Sequence, residues 1–284
     1  MGPEASVAAD NVLCYLAQHM TKKRNSVRAW VESLPASGRH SFTTSEAVRV
    51  LGGSLPAVRA ALRRVAATGW IVSPYRGFHL VVPPEYRRLG CLPADQLVPL
   101  LMEHLGEPYY AGLLSAAEYY GAAHQRPQAF QVMLRKSRRP LACGRVRVRF
   151  HRRSDLQAMP VREFNTPRGV IRVATPEVTA LELVGYARAC GGLENVATVL
   201  QELTEAIDPA RLAEVAARCP MAWIQRCGWL LEKVGAGDAA RGLAAVVRAA
   251  SPPWIRLVRE KRAAGSEFDR KWRIIVNDSI EVDQ

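Results

Sequence analysis

Arg59, Arg63 and Arg64 recur at helical spacing between Ser54 and Gly69, while Val58, Leu62 and Val65 occupy the opposite side of the same repeat. Guanidinium groups presented this way suit the paired acceptors of a guanine edge or the oxygens of a phosphate. Ala57 and Ala60 add no bulk that would hold such a face away from a groove. Further polar groups follow nearby. Tyr75, Arg76 and His79 flank a Pro74…Gly77 turn, and the hydroxyls of Thr43, Thr44 and Ser54 stand at helix starts, where they cap or touch phosphate. The candidate DNA contacts are therefore Thr43, Thr44, Ser54, Arg59, Arg63, Arg64, Tyr75, Arg76 and His79. Of these, Arg63 is expected to read a base edge and Arg76 to reach the minor groove or flanking phosphates.

The elements that must position these groups are punctuated clearly. Thr43-Thr44-Ser45-Glu46 is a capping box opening a short helix that stops at Gly52-Gly53. Ser54 caps a second helix, Pro56 falls in its first turn, and Gly69 ends it. Trp70-Ile71-Val72 and Phe78 to Val82 read as two strands joined by a tight turn. Helix, tight turn, basic helix and hairpin, in that order from Phe42 to Val82, predict a winged helix-turn-helix. Residues 22–90 carry twelve Lys or Arg against three acids, a net of +9, which favours a phosphate-bearing partner.

A second basic run lies further on. Residues 126–173 hold thirteen Arg or Lys against Asp155 and Glu163, a net of +11. In Arg145-Val146-Arg147-Val148-Arg149-Phe150 strand alternation sends the arginines to one sheet face, about 6.6 Å apart, near the roughly 7 Å between phosphates on one strand. Arg135, Lys136, Arg138, Arg139, Arg145, Arg147 and Arg149 form the expected second basic face. Residues 174–284, with fourteen bases and fifteen acids, read as a nearly neutral helical tail used for packing or a protein partner.

The chain has 284 residues, a net charge of +13 and 49% hydrophobic residues, enough apolar material for about two domains. No apolar run reaches the roughly 18 residues of a membrane span. Gly2 to Ser6 fits a myristoylation pattern only formally, because Pro3 follows the glycine. Six scattered cysteines form no Cys-x-x-Cys pair, and reduced, mostly buried thiols in a cytoplasm account for them. His104, His124 and His151, with Glu103, Glu118 and Asp155, match no metal-ligand or nucleophile spacing, and no phosphate-binding glycine loop is present. No catalytic residue, metal or cofactor is expected.

The expected fold is α+β: an N-terminal winged helix-turn-helix, then a mixed α/β C-terminal domain with an antiparallel sheet and a helix-rich tail. The expected boundaries are an N-terminal extension over 1–24, the DNA-binding domain over 25–83, a linker over 84–93 and the C-terminal domain over 94–284. Within that last domain, Asp95 to Leu105 and Tyr110 to Ala123 read as helices. Phe130 to Leu134, Arg145 to His151 and Val170 to Val173 read as strands. A helix opens at Thr175-Pro176-Glu177, others follow from Leu193, Pro209, Ala222, Asp238 and Pro253, and Trp272 to Val276 reads as a strand.

Two blocks in this domain resemble the AbiEi abortive-infection antitoxins. They run from Pro108-Tyr109-Tyr110-Ala111-Gly112 through Tyr119-Tyr120-Gly121 to Arg126-Pro127, and from Thr175-Pro176-Glu177 to Val184; the resemblance spans about Asn25 to Ala250. It implies the antitoxin of a type IV toxin–antitoxin pair, which represses its own operon by binding promoter inverted repeats and counteracts a nucleotidyltransferase-like toxin without a stable complex. It also implies a C-terminal domain that contributes to DNA binding and is required for antitoxicity. The family's usual Asp in the helix after Thr-Pro-Glu is Glu182 here. Double-stranded operator DNA is thus the expected partner, with no membrane. A stand-alone winged-helix regulator, or an RNA-binding module shielding the toxin's target, are the alternatives.

Overall fold

The computed structural model describes residues 26–122 and 127–280. The N-terminal extension with Cys14, Lys22, Lys23 and Arg24, and also His124 and Arg126, lie outside the described residues. The chain divides into two compact units. The first comprises residues 1–106 with 141–147 and 166–169, and the second comprises 107–140, 148–165 and 170–284.

In the first unit, α1 (Val27–Ser33) starts where the Ser26 hydroxyl accepts from the Ala29 N–H. After β1 (Ser41–Thr43), Thr43 caps α2 (Thr44–Leu51) by accepting from the Glu46 N–H at 3.1 Å, which is one half of the expected capping box, while the Glu46 carboxylate accepts from Arg39. Gly52 and Gly53, at φ 70° and 84°, make a turn that a side chain would strain. Then comes α3 (Leu55–Ala67), capped by Ser54 with Pro56 in its first turn. The hairpin β2 (Ile71–Tyr75) and β3 (Phe78–Val81) joins β1 in an antiparallel sheet ordered β1-β3-β2. One core holds the helices on this sheet, formed by Val31, Phe42, Ala47, Val58, Leu62, Val65, Ile71 and Val81. Residues 84–93 contain a single 3-10 turn, Pro84–Tyr86, and Cys91 and Leu92 are buried. α4 (Ala94–Leu105) follows.

The second unit is built on a sheet of β4 (Tyr109–Ala111), β5 (Phe130–Leu134), β7 (Val146–Arg152), β8 (Val161–Thr166) and β9 (Gly169–Ala174), in the order β7-β5-β4-β9-β8. β6 (Leu141–Cys143) leads into β7. This corrects the expected antiparallel sheet. β4 and β5 are antiparallel, but β5 runs parallel to β7 and β4 parallel to β9, so the sheet is mixed.

Tyr110 to Ala123 is not one helix. It divides at Gly112 into β4 and the short α5 (Leu113–Glu118). β4 is buried at all three positions, so it carries no alternation to betray a strand.

The helices behind the sheet are α6 (Pro176–Gly185), α7 (Leu193–Leu203), α8 (Pro209–Ala216), α9 (Met221–Lys233) and α10 (Gly237–Ala250). α6, opened by Thr175-Pro176, is buried from Pro176 to Val184, polar residues included. The helix expected from Pro253 is absent. Pro252-Pro253 instead leads into β10 (Ile255–Arg256), which joins β11 (Glu267–Asp269) and β12 (Ile274–Val276) in a small sheet. Cys91, Cys143, Cys190 and Cys227 are buried free thiols, and Cys219 is half-buried.

Candidate nucleic-acid interface

α3 is amphipathic because Val58, Leu62 and Val65 face the core, which leaves Arg59, Arg63 and Arg64 exposed. Among the described residues no acid pairs with these three or with Arg76. The β2–β3 hairpin is set beside α3 by its own turn. The Thr44 N–H donates to the Gly77 carbonyl at 2.9 Å, tying the start of α2 to the tip. A register shift between Val72 and Tyr75 accommodates Pro74, which has no N–H to give the ladder.

His79 completes this link from below. Its Nε2 lies 2.8 Å from the Thr44 hydroxyl and its Nδ1 2.7 Å from the Ser73 hydroxyl, and its ring stacks on Phe42 at 5.0 Å. Only 8% of His79 is exposed, and burial lowers its pKa, which favours the neutral ring. Both nitrogens are occupied, so the geometry makes His79 a positioning residue beneath the surface it was expected to form.

The structure brings Thr44, Arg59, Arg63, Tyr75, Arg76 and His79 around one concavity of about 370 Å³. Arg64 is exposed outside that lining, and the hydroxyls of Thr43 and Ser54 are spent on helix caps. His104, a candidate acid or base by residue type, stacks on Phe78 at 4.5 Å.

The second basic run divides between surface and interior. Along β7, Val146 and Val148 are buried while Arg147 and Arg149 are exposed, as is Arg145 just before the strand, the alternation read from sequence. Arg135, Lys136 and Arg139 are exposed too. Three of the counted bases are committed to acids. Arg138 pairs with Glu107 at 3.0 Å, Arg168 with Glu85 at 2.9 Å, and Arg153 with both Asp155 and Glu182.

The Arg153 pairing was invisible to charge counting. Its Nη1 donates to Glu182 Oε1 at 2.9 Å, its Nε and Nη2 fork onto Asp155 at 3.0 and 3.1 Å, and the Tyr110 hydroxyl donates to the same Glu182 oxygen at 2.5 Å. Glu182 is wholly buried and Arg153 is 4% exposed. Burial pushes the Glu182 carboxyl up, while Arg153 and Tyr110 pull it down, and burial also raises the Tyr110 hydroxyl. The signal available in sequence was the acid at the centre of an apolar run in α6, Ala180-Leu181-Glu182-Leu183-Val184. Among the described residues no group of three or more His, Cys, Asp or Glu side chains could hold a metal ion. No helix among them is long and apolar enough to cross a membrane.

Comparison with known proteins places this network. No curated protein matches the sequence. The crystal structure of the RV2827C protein from Mycobacterium tuberculosis is similar in fold, with a TM-score of 0.63 and 19% identity, covering 86% of this chain and 89% of that chain. The family described as the AbiEi antitoxin C-terminal domain matches residues 110–233, a span that begins at Tyr110 and contains Arg153, α6 and Glu182. That domain supports an antitoxin role, with a toxin as its counterpart. Over residues 110–233 the chain is similar to the AbiEi antitoxin C-terminal domain family.

Proposed function

We propose that the first unit is a winged helix-turn-helix that binds double-stranded operator DNA, and that the chain represses its own operon as the antitoxin of a type IV pair. In this reading residues 25–83 are the DNA-binding domain, α3 is the recognition helix and the β2–β3 hairpin is the wing. The observation that carries the reading is the concave face on which Arg59, Arg63 and Arg76 converge, exposed and free of acid partners among the described residues. Unpaired guanidinium groups on one face of a capped helix are suited to groove and phosphate contact. Arg145, with Arg147 and Arg149 on β7, would extend that contact along a phosphate backbone outside the winged-helix footprint.

The toxin counteracted would be a nucleotidyltransferase-like enzyme encoded alongside, opposed without a stable complex, and both actions would take place in the cytoplasm. No catalytic step is assigned to this chain. The test has two arms. The purified chain should protect inverted repeats in the promoter upstream of its own gene from nuclease, and its co-expression should restore growth to cells expressing the neighbouring toxin. Growth restored without promoter protection would remove the repressor half of the proposal. Protection without rescue would leave a stand-alone regulator.

A further inference from the structure

The second unit carries a cleft of about 690 Å³ unconnected with DNA contact by α3, within the 300 to 1,000 Å³ range typical of small-molecule sites. Arg152 and Arg218 stand exposed at its rim, Arg153 and Asp155 form its floor, and Tyr186 and Trp223 form one wall. Asp155 is the single acid among the lining residues, against three arginines.

The floor and wall are held by bonds within the cleft and by Glu182 and Gly185 behind it. The fork onto Asp155 and the bond to Glu182 fix the Arg153 guanidinium, whose carbon lies 5.7 Å from the centre of the Trp223 ring. Trp223 rests on Gly185, where a Cβ would come within 2.2 Å of the indole, so only glycine lets the ring lie there. The Tyr186 ring meets Trp223 edge-on at 5.5 Å, and its hydroxyl donates to the Arg152 carbonyl. The rim is less committed. Arg218 donates through Nη1 to the Ala158 carbonyl, and no side-chain bond to Arg152 is formed among the described residues.

We propose that this cleft binds a free nucleotide, its phosphates between Arg152 and Arg218 and its base against Trp223. Arginine forks match phosphate oxygens, and the aromatic wall of Tyr186 and Trp223 offers apolar contact to a base, so the two halves of the cleft fit the two halves of one ligand. A simple anion would leave the aromatic wall unused. An acidic peptide would not need it. The inference does not rest on the DNA-binding proposal.

The test is calorimetric titration of the full-length chain with ATP, beside adenosine, inorganic phosphate and a 5′-phosphorylated single-stranded hexanucleotide. ATP is expected to bind more tightly than adenosine or phosphate alone. The double variant Arg152→Gln/Arg218→Gln, altered only at exposed positions, should lose about tenfold or more in ATP affinity. The same variant should bind promoter DNA as the parent does through the first unit, which separates failure of this inference from failure of the repressor reading. Trp223→Leu should weaken ATP while leaving phosphate unchanged. The proposal is overturned if ATP gives no saturable heat, if the double variant binds ATP equally well, or if phosphate alone matches ATP. Binding of the hexanucleotide without ATP would also overturn it and assign the cleft to a strand end.

Discussion

Arg153 and Glu182 are 29 residues apart in sequence and 2.9 Å apart in space, at 4% and 0% side-chain exposure. Taking two charges from water is costly, and it is sustained here because Asp155 and Tyr110 provide further hydrogen bonds to the pair. The pair joins β7's end to α6, so it fixes the sheet of the second unit against a helix that the family match spans.

Removing one member should therefore be severe. Glu182→Ala is expected to cost about 3 to 5 kcal/mol, because a buried guanidinium loses one of its two counter-charges. Glu182→Gln keeps an acceptor for Tyr110 and should cost less. Tyr110→Phe, which removes one hydrogen bond, should cost about 1 to 3 kcal/mol. Urea unfolding measures all three, and an unchanged midpoint for Glu182→Ala would contradict the account.

His79 makes stability depend on pH in a definite sense. Its folded pKa lies below the ordinary 6.5 because burial disfavours the charged ring. Above 6.5 both folded and unfolded forms are neutral and the contribution is complete. As pH falls through 6.5 the unfolded form takes up the proton first, so stability is lost towards and through the folded pKa. His40 and His151 are shifted in the same direction, also first by burial, and add to the slope. An NMR titration should find the His79 ring mostly neutral at pH 6.5, and His79→Leu should shallow the acid side of the stability profile. A His79 midpoint at or above 6.5 would refute this.

What was legible in the sequence was local. Thr43 and Ser54 cap their helices because the bonds reach only three residues ahead, to Glu46 and Ala57. The face of Arg59 and Arg63 follows from where Val58 and Leu62 must go, and the arginines of β7 from strand alternation. The rest depended on partners far along the chain. His79 reads as a hairpin residue open to DNA until Thr44, 35 positions earlier, closes over its ring. Arg153 counts as surface charge until Glu182 is seen beneath it. The Tyr109–Ala111 strand is buried throughout, so its composition matches a buried helix equally well.

The β7 arginines give a salt-dependence prediction. If Arg145, Arg147 and Arg149 each meet a phosphate, their joint replacement by Gln should reduce the slope of log affinity against log salt by roughly 2 to 3. Promoter binding across a salt series measures it, and an unchanged slope would confine DNA contact to the face of α3 and the β2–β3 hairpin.

The central claim is that the exposed arginines of α3 read operator DNA. Fluorescence anisotropy of the full-length chain on a duplex from its own promoter, beside a scrambled duplex of equal length, tests it most directly. The parent protein should prefer the promoter, and Arg63→Ala should lose about 1 to 3 kcal/mol on it while changing little on the scrambled duplex. Equal affinity of the parent for both duplexes, or an Arg63→Ala variant that binds the promoter as tightly as the parent, would contradict the account.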